Sequence, residues 1–306
     1  MGVDAALTMV SMSDLPDAGL RLLHVHAHPD DESSKGAAST AYYVSRGARV
    51  MVASCTGGEE GEILNPKLDT PENWARLPEL RRAEMAFAAR ILGIEHVWLG
   101  YRDSGFPSGD DWQPASPEAF ALADVDEAAG RLVKVIREFR PQVLTTYDER
   151  GGYPHPDHIQ CHVVSMAAVD QAADPELWPE HGEPWQVSKV YYQMGFHRGR
   201  YAALDEAMHV RGLERPYAQR LAEWSEEADA RLQPTTFVPA ADFFDVRNAA
   251  LLAHASQIDP DSFWFAVPLE VERAGWPTED FQLVRSTVPS EIPESDLFAG
   301  VREQAG

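Results

Sequence analysis

Cysteine is almost missing from this chain: 306 residues contain two, Cys55 and Cys161, far apart in sequence and without a paired spacing. That argues against a disulfide framework and suits a reducing compartment. Positive charge is scarce as well. Lys and Arg total 26 against 49 Asp and Glu, giving a net charge of -23, and the basic residues are scattered along the chain. Such a surface repels nucleic-acid phosphates and anionic lipid, so neither nucleic acid nor membrane is an expected partner. No apolar run is long enough to cross a bilayer, and the N-terminal stretch carries Asp4, Asp14 and Asp17 with no basic residue ahead of a hydrophobic core. Export is therefore not expected, and a cytoplasmic location is. Also missing is a Gly-x-Gly-x-x-Gly after the first strand-like run. Gly57-Gly58-Glu59-Glu60-Gly61 carries two acids where a phosphate loop needs Lys and Ser or Thr, so nucleotide cradling is excluded.

What the chain does have is a regular alternation. At 44% hydrophobic and 25% charged it is ordinary for a soluble globular protein. Apolar runs at 21–26, 49–54, 96–99 and 143–147 predict strands. Between and after them, amphipathic stretches predict helices at 34–46, 75–92, 124–139 and 157–173, the first capped by Ser33 or Ser34. This spacing predicts an α/β fold, a Rossmann-like, mostly parallel sheet with helices on both faces. Residues 1–20 are expected to be a loose tail and 21–300 a single domain with an elaborated C-terminal part from about 190. There the pattern gives a charged helical stretch at 218–232, strands near 235–239 and 281–284, and a helix containing His254. Oligomeric state is left open, since an acidic surface neither requires nor forbids a specific interface.

Two strand ends carry the chemistry. His28-Pro29-Asp30-Asp31-Glu32 follows the first strand, and His155-Pro156-Asp157-His158 follows the fourth. In parallel sheets ligands bind outside the carboxyl ends of the strands, so both clusters, the 57–61 loop and Asp103 should reach one crevice. The segment 107–117, rich in Pro and Asp, is expected to be a surface loop beside it that acts as a lid. Catalytic zinc takes three His or carboxylate ligands and keeps one position open. His28, Asp31 and His158 fit that count. Asp30, in the same turn, could then act as general base, and His155 could stabilise an oxyanion or protonate a leaving amine. His26 and His162 could replace a ligand but are read as supporting residues. Asp157 is read as orienting His155 or His158, although Asp31 and Asp157 are also natural helix caps. Two His and a carboxylate suit ferrous iron as well as zinc. A non-catalytic metal- or sugar-binding protein would need neither Asp30 nor His155.

These two motifs resemble the LmbE-like (PIG-L) family of zinc-dependent N-deacetylases. Further matches at 33–38, 61–66, 147–153, 254–260 and 276–279 extend the resemblance from about 21 to 300. It implies a Zn2+ enzyme with His28, Asp31 and His158 as metal ligands, Asp30 as base and His155 at the oxyanion. It also implies that Tyr153 assists at the tetrahedral intermediate, and that Arg81 and Asp103 bind the glucosaminyl-inositol part of a small-molecule amide. Read without the family, Arg81 is an ordinary surface helix residue. In the resemblance Lys35 marks the branch that cleaves an acylated cysteine from glucosaminyl-inositol, whereas the other branch, which removes acetate, usually has a small polar residue there. Without the family, Lys35 reads as an exposed helix lysine.

Overall fold

The computed structural model describes residues 14–107 and 112–302. Seven strands form one sheet: β1 (Arg21–His26), β2 (Arg49–Thr56), β3 (Glu95–Tyr101), β4 (Val143–Thr146), β5 (Lys189–Gln193), β6 (Thr236–Pro239) and β7 (Thr278–Ser286). Their order is β3-β2-β1-β4-β5-β7-β6. The first five run parallel, whereas β7 pairs antiparallel with both β5 and β6, so the sheet is mostly parallel as expected. The chain leaves β1 for β2 on one side and later returns to β4 on the other. The order therefore reverses between β1 and β4, where a crevice opens at the strand ends.

The helices are α1 (Asp31–Ser34), α2 (Ala37–Ser45), α3 (Pro71–Trp74), α4 (Leu77–Leu92), α5 (Val125–Phe139), α6 (Pro156–Ala173), α7 (Arg198–His209), α8 (Ala218–Ala222), α9 (Glu226–Arg231), α10 (Phe244–Ala253) and α11 (Leu269–Gly275). Successive side chains of a strand point to opposite faces, and both faces here are buried. Leu23, Val25 and Leu144 pack with Leu132, Ile136 and Val164 under α5 and α6. Leu22, Val50 and Val143 face the other way, toward Tyr43, Tyr191, Phe281 and Phe298. His24 lies inside the sheet with both ring nitrogens bonded, to Thr145 Oγ1 at 2.6 Å and Thr40 Oγ1 at 2.9 Å. Burial, reinforced by His26, lowers its pKa to about 3, so it is a neutral core residue.

Several expectations need correction. The helix after β1 is broken at Lys35 and Gly36, and neither Ser33 nor Ser34 caps it. Gly36 has φ 90°, a left-handed backbone that starts α2 in a new direction. His254 ends α10 at its C-cap position. The charged stretch 218–232 splits into α8 and α9, and α7 was not foreseen. Residues 1–13 lie outside the described residues, but the rest of the expected tail is tied down. Asp17 is fully buried and bonds Arg46 and Arg302. Cys55 and Cys161 meet in space, their Sγ atoms 3.7 Å apart and both free. No helix among the described residues is long and apolar enough to cross a membrane.

Candidate active site

The chain leaves β1 into a strained turn. Asp30 has φ 111° in the left-handed region, which is costly for a residue with a Cβ and marks a backbone held by its surroundings. Two contacts hold it: the Asp30 N–H donates to Glu32 Oε2 at 2.9 Å, and Gln257 Nε2 donates to the Pro29 carbonyl at 2.8 Å. Glu32 is fixed in turn by buried His254, whose Nε2 lies 2.6 Å from Glu32 Oε1. Despite burial, His254 holds the Glu32 carboxyl down to about 2. The sequence placed Glu32 in the first strand-end cluster and His254 on a helix without pairing them, and offered Gln257 only as part of the family match.

Asp31 is the hub. Its Oδ2 lies 3.5 Å from both His28 Nδ1 and His158 Nε2. The same oxygen accepts from the Tyr147 hydroxyl at 2.6 Å, and Oδ1 accepts from Lys35 Nζ at 2.5 Å. Lys35 is buried, contrary to the exposed-helix reading. Burial opposes ionisation of Asp31, but Lys35, His158 and His28 outweigh it and hold the carboxyl well below its ordinary range. For Asp30 nothing comparable offsets burial, which together with the Asp31 charge pushes it up to about 6.

The β4 side supplies the imidazoles. His158 Nδ1 lies 2.9 Å from the Gly151 carbonyl, which fixes the proton there and leaves the Nε2 lone pair free. That Nε2 is buried with no hydrogen-bond partner among the described residues. Gly151, at φ 73°, must be glycine because a Cβ would meet the His158 side chain 2.5 Å away. His155 caps α6: its Nδ1 accepts from the Asp157 N–H at 3.1 Å, so its proton sits on Nε2. Burial, then His28 and His158, lowers His155 to about 3, leaving a neutral ring with a free Nε2–H donor.

The structure thus brings together His28, Asp30, Asp31, Tyr153, His155 and His158, with Asp103 and Arg81 on the same cleft. The donor set suits a cation. His28, His155 and His158 offer nitrogens within 4.8 Å of one another, and His28, Asp103 and Asp157 form a second such group. Burial opposes charge on His28, yet Asp103, Asp157 and Asp31 raise its pKa well above the ordinary value. Positive charge is therefore favoured where the carboxylates converge. The orphaned His158 Nε2 beside Asp31 is a lone pair that could ligate a cation.

Asp157 meets the His155 ring through its backbone N–H, whereas its carboxylate turns to His28: Oδ2 lies 3.1 Å from His28 Nε2 and accepts from the Ser104 N–H at 3.0 Å, while Oδ1 accepts from Ser104 Oγ. Asp157→Asn is accordingly expected to weaken metal binding about 10–100-fold, read by competition with a chelator. Unchanged affinity would show that Asp157 does not orient His28. Arg81 is also not a surface residue. It is buried and donates to the Gly58 and Glu62 carbonyls, and a Cβ at Gly58 or Gly61 would collide with its guanidinium. Asp103 Oδ1 accepts from the Gly105 N–H at 2.9 Å and lies 3.6 Å from His28 Nε2. His26 and His162 fill supporting places, His26 within 3.4 Å of the Tyr147 hydroxyl and His162 against the Tyr147 carbonyl. The expected 107–117 lid lies partly outside the described residues.

This arrangement is that of a hydrolytic deacetylase-type site, and the chain belongs to the PIG-L family, described as GlcNAc-PI de-N-acetylase and matched over residues 23–169. Among characterised relatives it is 55% identical to the mycothiol S-conjugate amidase of Streptomyces coelicolor, over 94% of this chain and 99% of that one. It is 43% identical to the 1D-myo-inositol 2-acetamido-2-deoxy-alpha-D-glucopyranoside deacetylase of Streptomyces avermitilis, over 95% and 99%. In fold it is similar to a conserved Thermus thermophilus protein (TM-score 0.56, 24% identity, 89% of this chain and 97% of that one). It is also similar to the N,N'-diacetylchitobiose deacetylase of Pyrococcus horikoshii (TM-score 0.57, 19% identity, 86% and 83%).

Proposed function

We propose that the protein is a metal-dependent amidase of mycothiol S-conjugates. In this reading it releases glucosaminyl-inositol and an N-acetylcysteine S-conjugate in cytoplasmic detoxification, with residues 21–300 acting as one catalytic unit. The observation that carries the choice of substrate is the 55% identity to an amidase along nearly the whole chain, against 43% to the deacetylase. Lys35, which the resemblance links to the same branch, stands at the site with its Nζ on Asp31 Oδ1.

His28, Asp31 and His158 are the residues that would hold Zn2+, or Fe2+ in its place, and such an ion supplies Lewis acidity to the scissile carbonyl and to water. Asp30 is the base. With its carboxyl raised to about 6, it is ionised at neutral pH yet basic enough to take a proton from the attacking water and return it to the departing amine. His155, neutral and protonated on Nε2, donates to the developing oxyanion, as its tautomer requires. The Tyr153 hydroxyl lines the same cleft and adds a second donor there. Asp103 and the acidic wall near it accept hydrogen bonds from the hydroxyls of the glucosaminyl-inositol part. Arg81 has its terminal nitrogens on Gly58 and Glu62 and acts by fixing that wall.

The test is amine release from a mycothiol bimane conjugate and from N-acetylglucosaminyl-inositol, using stripped enzyme with zinc or ferrous iron restored. Stripping is expected to abolish both activities and restoration to return them, with the conjugate cleaved faster. Preference for the acetylated sugar would instead make this a deacetylase of mycothiol synthesis.

A further inference from the structure

The reacting groups sit on a seam between two lobes of one cleft. Asp30, Leu64, Tyr153 and Gln257 line both. The first lobe, about 410 Å3, is walled by Glu60, Glu62 and Asp103 with Arg81. Carboxylates and carbonyl-bound guanidinium suit a polyol, which offers hydroxyl donors and no charge. The second lobe, about 630 Å3, sets an aromatic wall beside charged residues that include Arg220, Glu223 and Arg231. Phe196, Trp224, Phe263 and Trp264 line it. The Phe196 and Trp264 rings are 5.9 Å apart and the Phe263 and Trp264 rings 4.5 Å, at tilted angles.

These aromatics are not spent on the core. Phe263 is 55% exposed, and the other three are half-buried at the cleft surface. A cluster of exposed rings contiguous with an active site marks an apolar ligand-binding surface. An acetyl group would leave a lobe of this volume nearly empty. An amide with a sugar on its nitrogen and a large apolar arm on its acyl carbon would fill both lobes.

Resting on the amidase reading above, we infer that the aromatic lobe is the subsite for the S-substituent of the conjugate, that it prefers aryl and benzyl substituents, and that Phe196, Phe263 and Trp264 set this preference. The lobe is reached across Lys35, which lines it while its Nζ is bound to Asp31. The cysteinyl arm therefore passes directly from the scissile carbonyl to the rings.

The experiment compares metal-loaded wild type, Trp264→Ala and Phe263→Ala on S-benzyl and S-methyl conjugates of mycothiol and on N-acetylglucosaminyl-inositol. Trp264→Ala is expected to raise KM for the S-benzyl conjugate about tenfold, from the lost aromatic burial, while the other two substrates keep their wild-type KM. Phe263→Ala should act in the same direction, and because that side chain is mostly exposed its removal does not threaten folding. Equal losses on all three substrates, or none, would overturn the inference. Calorimetric binding of N-acetyl-S-benzylcysteine and N-acetyl-S-methylcysteine separates the two levels of the argument. If wild type cleaves neither conjugate but binds the benzyl acid through Trp264, the amidase reading fails and the aromatic subsite stands. If the benzyl acid binds wild type and Trp264→Ala alike, the subsite fails whatever the enzyme cleaves.

Discussion

Asp30→Ala is expected to lower kcat about a hundredfold to ten-thousandfold while the protein keeps its metal and its fold. The carboxylate lies in the strained turn at φ 111°, in the same cleft as His155 and Tyr153, whereas it is the neighbouring Asp31 whose Oδ2 stands 3.5 Å from both His28 Nδ1 and His158 Nε2. Its removal should therefore take away proton transfer and leave the ligands in place. Metal content measured on the purified variant, together with single-turnover rates, separates the two. A variant with full metal and wild-type kcat would remove Asp30 from the mechanism. A variant that loses its metal would move it into the ligand set. Asp30→Glu is a useful companion, because a longer carboxylate on a strained turn keeps the chemistry and loses the aim.

The second large effect concerns stability, far from the cleft. Lys189 and Glu294 form an ion pair in the protein interior, Nζ to Oε1 at 2.5 Å, with Lys189 fully buried. The other Glu294 oxygen accepts from the Tyr191 hydroxyl at 2.8 Å and from Thr236 Oγ1 at 3.2 Å, and Lys189 also donates to the Ala299 carbonyl at 3.1 Å. One carboxylate thus joins β5, β6 and the C-terminal segment. Glu294→Ala would leave an ammonium in the core without its counter-charge, and a cost of about 3–5 kcal/mol is expected in urea unfolding. A loss below about 1 kcal/mol would mean that water reaches the lysine or that the segment moves away. Replacing both partners together, Lys189→Met with Glu294→Leu, should recover much of the loss, because the penalty lies in the unpaired charge.

The half of the fold that carries the chemistry was legible in the sequence, for a physical reason. Parallel strands buried on both faces must be short, continuous apolar runs, and those at β1, β2 and β4 stand out between amphipathic helices. The motif at each strand end then inherits its position from topology. Less legible were contacts made across the sheet. Nothing local in Asp157 says that it faces His28 and Ser104 instead of its neighbours on α6. Arg81 looks like any helix arginine until the 57–61 loop is folded around it. The Lys35–Gly36 break was hidden because Ala37 onward is a good helix former whichever way the chain enters. Beyond β5 the strands turn antiparallel and the helices shorten, so periodicity weakens where the aromatic lobe is built.

All the residues assigned to metal, base and oxyanion fall between His28 and His158, inside the segment matched to the family at 23–169. Of the four rings of the second lobe, Phe196 lies on the loop after β5, Trp224 between α8 and α9, and Phe263 and Trp264 on a short 3-10 turn between α10 and α11. The residues that would activate the amide and those that would hold its acyl arm thus occupy different stretches of the chain. A substitution among the later rings can change which S-substituents fit while leaving His28, Asp30, Asp31, His155 and His158 in place.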